Sequence, residues 1–249
     1  YSVMICNTDN DPKKWTDYVN TLYSKRVSGL ILTGAWLEEQ LERNFLTSKG
    51  IPVTVVNFEH GSDKVDIVGI SRRIGGRKAA EYLIELGHQR IGVIEGRKAY
   101  TSPYDFNVIA GFTDVLQASD LTLHAHQLSA SYSMDDGYHA MQQILALPEL
   151  PSAVFCENDL IALGAVSAVF ETGLQVPDDI SIIGFDNISF ARYAHPGLTT
   201  VAVERYKIGE MAVNMILDRI RDPQISKQRV LLTPELIIRG STRNPMPKH

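Results

Sequence analysis

Cysteine is nearly absent: the 249 residues hold only two, Cys6 and Cys156. That is too few for a disulfide framework. Both fall in apolar runs, SVMIC and AVFC, so two buried thiols in a reducing, cytoplasmic compartment are expected. No apolar stretch nears the roughly 20 residues that a membrane helix requires, so no membrane partner is expected. YSVMIC has neither a charged n-region nor a cleavage site, so no signal peptide is expected. It also lacks an initiator Met and already reads as a buried strand, so the chain is expected to begin inside a fold. Basic charge is in deficit: 24 Lys and Arg against 29 Asp and Glu give a net charge of −5. Such a chain is a poor nucleic-acid binder by itself, because phosphate contacts depend on Lys and Arg. The GxSxG, HExxH and CxxC signatures are missing, and no enzymatic activity is expected. GISRRIGGRKA (69–79) fails both the P-loop and the GxGxxG patterns, so no cofactor is expected; Gly75 and Gly76 instead suit close packing at a helix start. The seven histidines show no metal-ligand spacing. His88, directly after the helix-ending Gly87, is read as structural, beside a helix C-terminal dipole.

What the sequence does contain is a rhythm. Apolar β-branched runs at 2–6, 27–33, 52–57, 65–70, 90–96, 153–157, 180–185 and 198–203 alternate with amphipathic stretches at helical spacing. Asp11 and Pro12 open the first helix as cap and first residue. Further helices are read at 36–49, 75–86, up to about 119, from Ser133, at 159–172 and at 205–221, with a weaker strand near 123–128. Residues 230–240 are extended and broken by Pro234. Continuous apolar strands between helices imply parallel sheets covered on both faces. Roughly ten strands exceed one comfortable sheet, so an α/β fold of two doubly wound parallel-sheet subdomains is expected. Ligands of such folds bind beyond the carboxyl ends of the strands.

Polar residues just past strand ends are therefore the candidates. Asn158 and Asp159 follow AVFCE, Asp186 and Asn187 follow SIIGF, Tyr132 follows the strand near 123–128, and Ser102 follows RIGVIEG. Asp159 is read as a helix N-cap and Asn187 could be one. Asn158 and Asp186 sit nearer their strands and are read as ligand residues. The basic cluster Arg72, Arg73, Arg77 and Lys78 reads as a solvated face or, alternatively, as an anion site at a helix start.

GGRKAAEYLIELGHQRIGVI, the block AVFCENDLIALGAVSAVFETGLQVPDDISIIGFDNISFARYAHPGLTTV and the terminal PELIIRGST resemble the LacI/GalR family of bacterial transcription regulators over essentially the whole chain. The resemblance implies a type I periplasmic-binding-protein-like fold with two subdomains joined by three crossovers. Residues 1–88 plus 203–227 would form the N-terminal subdomain and 89–202 plus 228–249 the C-terminal one. It further implies that a DNA-binding headpiece and the first strand and helix of the N-terminal subdomain lie outside these residues. The partners implied are a small-molecule effector in the cleft, a second copy in a homodimer, and operator DNA contacted through the headpiece. The family's effector residues fall on Asp186, Asn158 and Tyr132, and Ser102 and Tyr104 fall on a loop where some members contact effector. A carboxylate and an amide can bond ligand hydroxyls while an aromatic face packs on a sugar or base ring.

The chain departs from the family in its cations. Val108 stands where an effector-holding Arg is usual, and Arg73 and Arg205 occur instead near the expected cleft. An effector with an acidic group, held by Arg73 or Arg205, is the resulting expectation. The competing reading is a periplasmic solute-binding protein of a sugar transporter, which shares the fold.

Overall fold

The computed structural model describes residues 1–9, 11–33, 50–57, 65–96 and 108–245. The helix expected at 36–49, together with Ser102 and Tyr104, lies outside them. In chain order the elements are α1 (Pro12–Ser24), β1 (Leu30–Leu32), β2 (Val53–Val56), β3 (Asp66–Ile70), α2 (Arg72–Glu85), β4 (Ile91–Gly96), α3 (Val108–Ala118), β5 (Ala125–Ser129) and α4 (Met134–Leu145). They continue as β6 (Ala153–Cys156), α5 (Asp159–Glu171), β7 (Ser181–Asp186), α6 (Ser189–Tyr193), β8 (Thr199–Ala202), α7 (Arg205–Arg221), β9 (Arg229–Leu232) and β10 (Glu235–Ile237). Two compact units result, and among the described residues the chain passes between them after Ile70, Val203 and Leu232.

The first unit carries a parallel sheet in the order β1-β2-β3-β9. Asp11 caps α1 as expected, accepting from the amides of Lys13 and Lys14 at 2.8 and 3.3 Å, with Pro12 behind it. Trp15 and Val19 lie one turn apart, so α1 lays one stripe on Leu30, Val53, Val55 and Ile67. Ile208, Ala212, Met215 and Ile216 make the buried stripe of α7. One buried ion pair ties this unit together. Arg219 donates to both carboxylate oxygens of Asp66, at 3.1 and 2.9 Å, and to the carbonyls of Ser226 and Ile225. Asp66 also accepts from the amide of Gln228 at 2.9 Å, so α7, the turn before β9 and the start of β3 are joined at one carboxylate.

Two expectations fail here. Residues 2–6 form no strand: among the described residues nothing pairs with them, and Tyr1, Val3 and Ile5 are 89, 84 and 92% exposed. Apolar alternation makes a strand only where a neighbour supplies hydrogen bonds. Cys6 is accordingly exposed, whereas Cys156 is buried as expected.

The second unit carries a six-stranded sheet in the order β10-β8-β7-β6-β4-β5. All neighbours are parallel except β10, which runs antiparallel to β8 after the break at Pro234. Side chains of β6 alternate: Val154 and Cys156 join a core with α4 and α5, while Phe155 stacks on Phe112 of α3 at 4.6 Å between centroids. A helix pair covers each face, and each pair is closed by reciprocal glycines. A Cβ on Gly76 would stand 1.8 Å from the Val108 carbonyl oxygen, and one on Gly111 2.0 Å from that of Arg73. Between α4 and α5, a Cβ on Gly137 would stand 2.4 Å from the Ile161 oxygen, and one on Gly164 1.9 Å from that of Met134. These helices touch backbone to backbone, the close packing the Gly75–Gly76 pair suggested.

That packing moves the expected boundaries. Because α2 lies against α3, the second unit begins at Ser71, not 89. Because β9 pairs with β3, the first unit extends to Leu232, not 227.

Candidate functional site

The order β5-β4-β6-β7 reverses direction at β4: the chain goes outward to β5, then returns to the other side of β4 for β6. In open α/β sheets the crevice at the carboxyl ends of such a pair is the ligand position. Gly96 ends β4 there, Glu157 and Asn158 follow β6, and Tyr132 follows β5.

Tyr132 lies on Gly96, where an added Cβ would stand 2.4–2.7 Å from three ring carbons. Glycine therefore makes room for the ring at the strand end. The Tyr132 hydroxyl reaches Glu157 at 3.4 Å, and the other oxygen of that carboxylate accepts from the Gly96 amide at 2.9 Å. Glu157 is 1% exposed, whereas Tyr132 is 37% exposed. Asn158 is the N-cap of α5: its Oδ1 accepts from the Ile161 amide at 2.8 Å, and its Nδ2 donates to the Tyr132 carbonyl at 3.4 Å. The cap expected of Asp159 is thus made one residue earlier.

Asp159 is fully buried and joins β7 to β8. It accepts from the Ile188 amide at 2.7 Å and the Thr200 hydroxyl at 2.5 Å. Asn187 is held too, its Oδ1 accepting from Arg239 at 2.7 Å. Asp186, between them, is half-buried with φ of +106°, and Asn187 has φ of +51°. Two consecutive non-glycine residues in that region are strained, and such strain gathers at ligand sites.

The basic cluster divides residue by residue. Arg73 pairs with Asp114 of α3 and Arg77 with Glu81 along its own helix. Arg72 turns to the sheet: its guanidinium lies over the Phe185 ring, 5.0 Å from the centroid, and 3.9 Å from Glu157. Arg205 opens α7 in the first unit and is exposed. Arg72 was read only within the basic cluster and Glu157 was not singled out, although a signal existed for each. Arg72 continues the buried stripe of Gly76, Ala79 and Leu83 by one turn, and Glu157 is the charge that ends the apolar run AVFCE.

His88 is buried, donating from Nε2 to the Arg243 carbonyl and accepting at Nδ1 from Ser152, both at 2.9 Å. Burial lowers its pKa from 6.5, outweighing the bond to Arg243, which favours the neutral ring in the structural role expected of it. Among the described residues no three His, Cys, Asp or Glu side chains gather to hold a metal, and no helix is long and apolar enough to cross a membrane. A pocket of about 450 Å³ in the first unit, lined by Ile51, Val53, Val65, Ile220, Arg219 and Lys227, adjoins the amino ends of β2 and β3. The strand-end chemistry is elsewhere, and Arg219 is committed to Asp66.

Comparison with known proteins places the whole chain. Residues 80–242 match the family described as periplasmic binding protein-like domain. The HTH-type transcriptional repressor PurR of Haemophilus influenzae (strain PittEE) is 37% identical over 251 residues, covering 98% of this chain and 73% of its own length. A LacI family transcriptional regulator from Enterococcus faecium, solved with bound ribose, superposes with a TM-score of 0.81 at 28% identity, over 92% of this chain and 84% of that one. The lac repressor dimer bound to operator and an anti-inducer superposes with a TM-score of 0.78 at 26% identity, over 93% and 79%. Mixed α/β units with parallel sheets, the matched periplasmic-binding-protein-like domain and near-complete coverage by repressors make this chain the effector-binding core of a regulator in the LacI/GalR family.

Proposed function

We propose that this core binds a sugar or sugar derivative carrying an acidic group at the carboxyl ends of β4, β6 and β7. In this reading Tyr132 packs on the ligand ring, and Asp186 and Asn158 bond its hydroxyls. The chain acts by binding, without turnover, in the cytoplasm. Occupancy alters operator affinity through a helix-turn-helix headpiece, and the protein works as a homodimer on a pseudo-palindromic site. The observation that carries the reading is the partly exposed Tyr132 ring over Gly96 and the strained Asp186, each at a strand's carboxyl end in one sheet. Ribose in the Enterococcus faecium regulator supports the ligand class.

The coupling is reciprocal, so effector and operator must change each other's affinity by the same factor. Titration of the full-length protein with labelled operator, with and without saturating sugar, measures it. A ligand at 100 times its Kd stabilises the core by about 2.7 kcal/mol, which a thermal-shift screen resolves. Asp186→Ala is expected to abolish that shift. An unchanged shift in that variant, or operator affinity indifferent to a bound ligand, refutes the reading.

A further inference from the structure

We propose that Arg239 is a positioning residue of the effector site: it holds the turn after β7 so that Asp186 keeps the backbone conformation in which it meets the effector. This rests on the effector-site reading above. The side chain reaches back from just past the end of β10. Its Nη2 donates to Asn187 Oδ1 at 2.7 Å, its Nη1 to the Leu198 carbonyl at 2.6 Å, and its backbone amide to the Thr199 hydroxyl at 2.9 Å. One arginine thus joins the tail of the chain, the start of β8 and the turn that follows β7. A guanidinium bond to an amide oxygen is charge-assisted, and about twice as strong as a neutral one.

The turn it holds is the strained one. Asp186 and Asn187 have φ of +106° and +51°. The peptide between them is planar, so rotating it changes ψ of Asp186 and φ of Asn187 together and moves the strand end that carries the Asp186 carboxylate. The amide of Asn187 has a long bond, to the Thr200 hydroxyl at 3.3 Å. The next amide, of Ile188, is fixed by the buried Asp159 at 2.7 Å. The shorter tie on the strained residues themselves is the Asn187 side chain, which Arg239 holds. Strain of this kind persists only where the surroundings over-determine it. Without Arg239 a relaxed turn competes, and an effector that needs the strained turn meets a smaller competent fraction of the protein.

The test is calorimetric titration of the full chain, well below its Tm, with D-ribose, D-ribose 5-phosphate and D-glucuronate, the tightest of which is carried into the variants. Arg239→Met should weaken binding about tenfold, the loss expected when about a tenth of the molecules keep the competent turn. Asn187→Ala should cost a similar factor, and the double variant no more than about twofold beyond either single change, because both cut one tie. Arg239→Lys, which keeps a donor for Asn187, should recover part of the affinity. Should Arg239→Met not fold, Asn187→Ala and Arg239→Lys decide. Tyr82→Phe is the control for a merely structural tail: it cuts the bond between α2 and the Thr242 hydroxyl at 3.0 Å, and should lower Tm while leaving affinity within about twofold. Wild-type affinity in folded Arg239→Met or in Asn187→Ala overturns the inference, as do losses that multiply in the double variant or an equal loss in Tyr82→Phe. Binding of none of the three probes by wild type, or binding indifferent to Asp186→Ala, overturns the effector-site reading, and this inference with it.

Discussion

Replacing Gly164 by alanine would put a methyl carbon 1.9 Å from the Met134 carbonyl oxygen, where ordinary contact begins near 3.4 Å. The oxygen is helix backbone and the Cβ position is fixed by helix backbone, so no rotamer change relieves the clash. Helices α4 and α5 must part by about 1.5 Å, a large step against a usual helix separation of 8–10 Å. Parting them loosens Met141, Ile144, Ile161 and Ala165, all buried in the core they share. Overpacking of a core costs about 1–3 kcal/mol and occasionally more, and backbone against backbone lies at the upper end. At about 3 kcal/mol and roughly 2–4 °C per kcal/mol, Tm should fall by about 6–12 °C. Gly209→Ala is the internal control. Gly209 is exposed within α7 and has nothing within 4 Å of an added Cβ. The gain in helix propensity, about 1 kcal/mol, is common to both sites, and only Gly209 should keep it, raising Tm by about 2–4 °C. Thermal unfolding followed by circular dichroism reads both. The packing argument fails if Gly164→Ala lowers Tm by less than the control raises it.

Three further outcomes are expected. His88 is buried with its pKa held below 6.5, so the folded state resists a proton that the unfolded chain accepts. Stability is full above pH 6.5 and is lost on acidification below it, with a limiting slope of about 1.4 kcal/mol per pH unit, and His88→Gln should flatten that part of a Tm-against-pH curve. Cys6 is exposed, whereas burial, with the Asp159 charge beside it, pushes the Cys156 thiol well above the usual range. One thiol should therefore react with an aromatic disulfide reagent in buffer and two in denaturant, and two fast thiols in buffer would contradict the burial. Asp66→Ala should cost about 3–5 kcal/mol in urea unfolding because it leaves Arg219 buried without its carboxylate; the Asp66→Ala, Arg219→Met double variant should cost less.

The alternation of strand and helix was legible because each element advertises its own period, and α7 occupies the expected 205–221. What local pattern cannot show is which neighbour a residue meets. The cap expected of Asp159 falls to Asn158 because the capping geometry depends on the residue where β6 gives way to α5, and because Thr200 finds Asp159 across 41 residues. Arg72 and Arg73 part because one step along a helix turns a side chain about 100°, from Phe185 of the sheet to Asp114 of α3. The boundary shifted from 88 to 70 because two glycines let α2 press on α3, a contact invisible until both helices are placed. Residues 2–6 misled because apolar alternation records the capacity to pair rather than a partner.

The second unit is finished by its last residues. β10 completes the sheet beside β8, Ser241 bonds the Thr199 amide and the Ile182 carbonyl, and Arg243 accepts from His88. Without residues 235–243 the unit would keep α2 to α5 and yet present β8 as an unpaired edge, open to strands of other copies. Removal of that segment should therefore yield aggregation-prone protein rather than a weakened regulator.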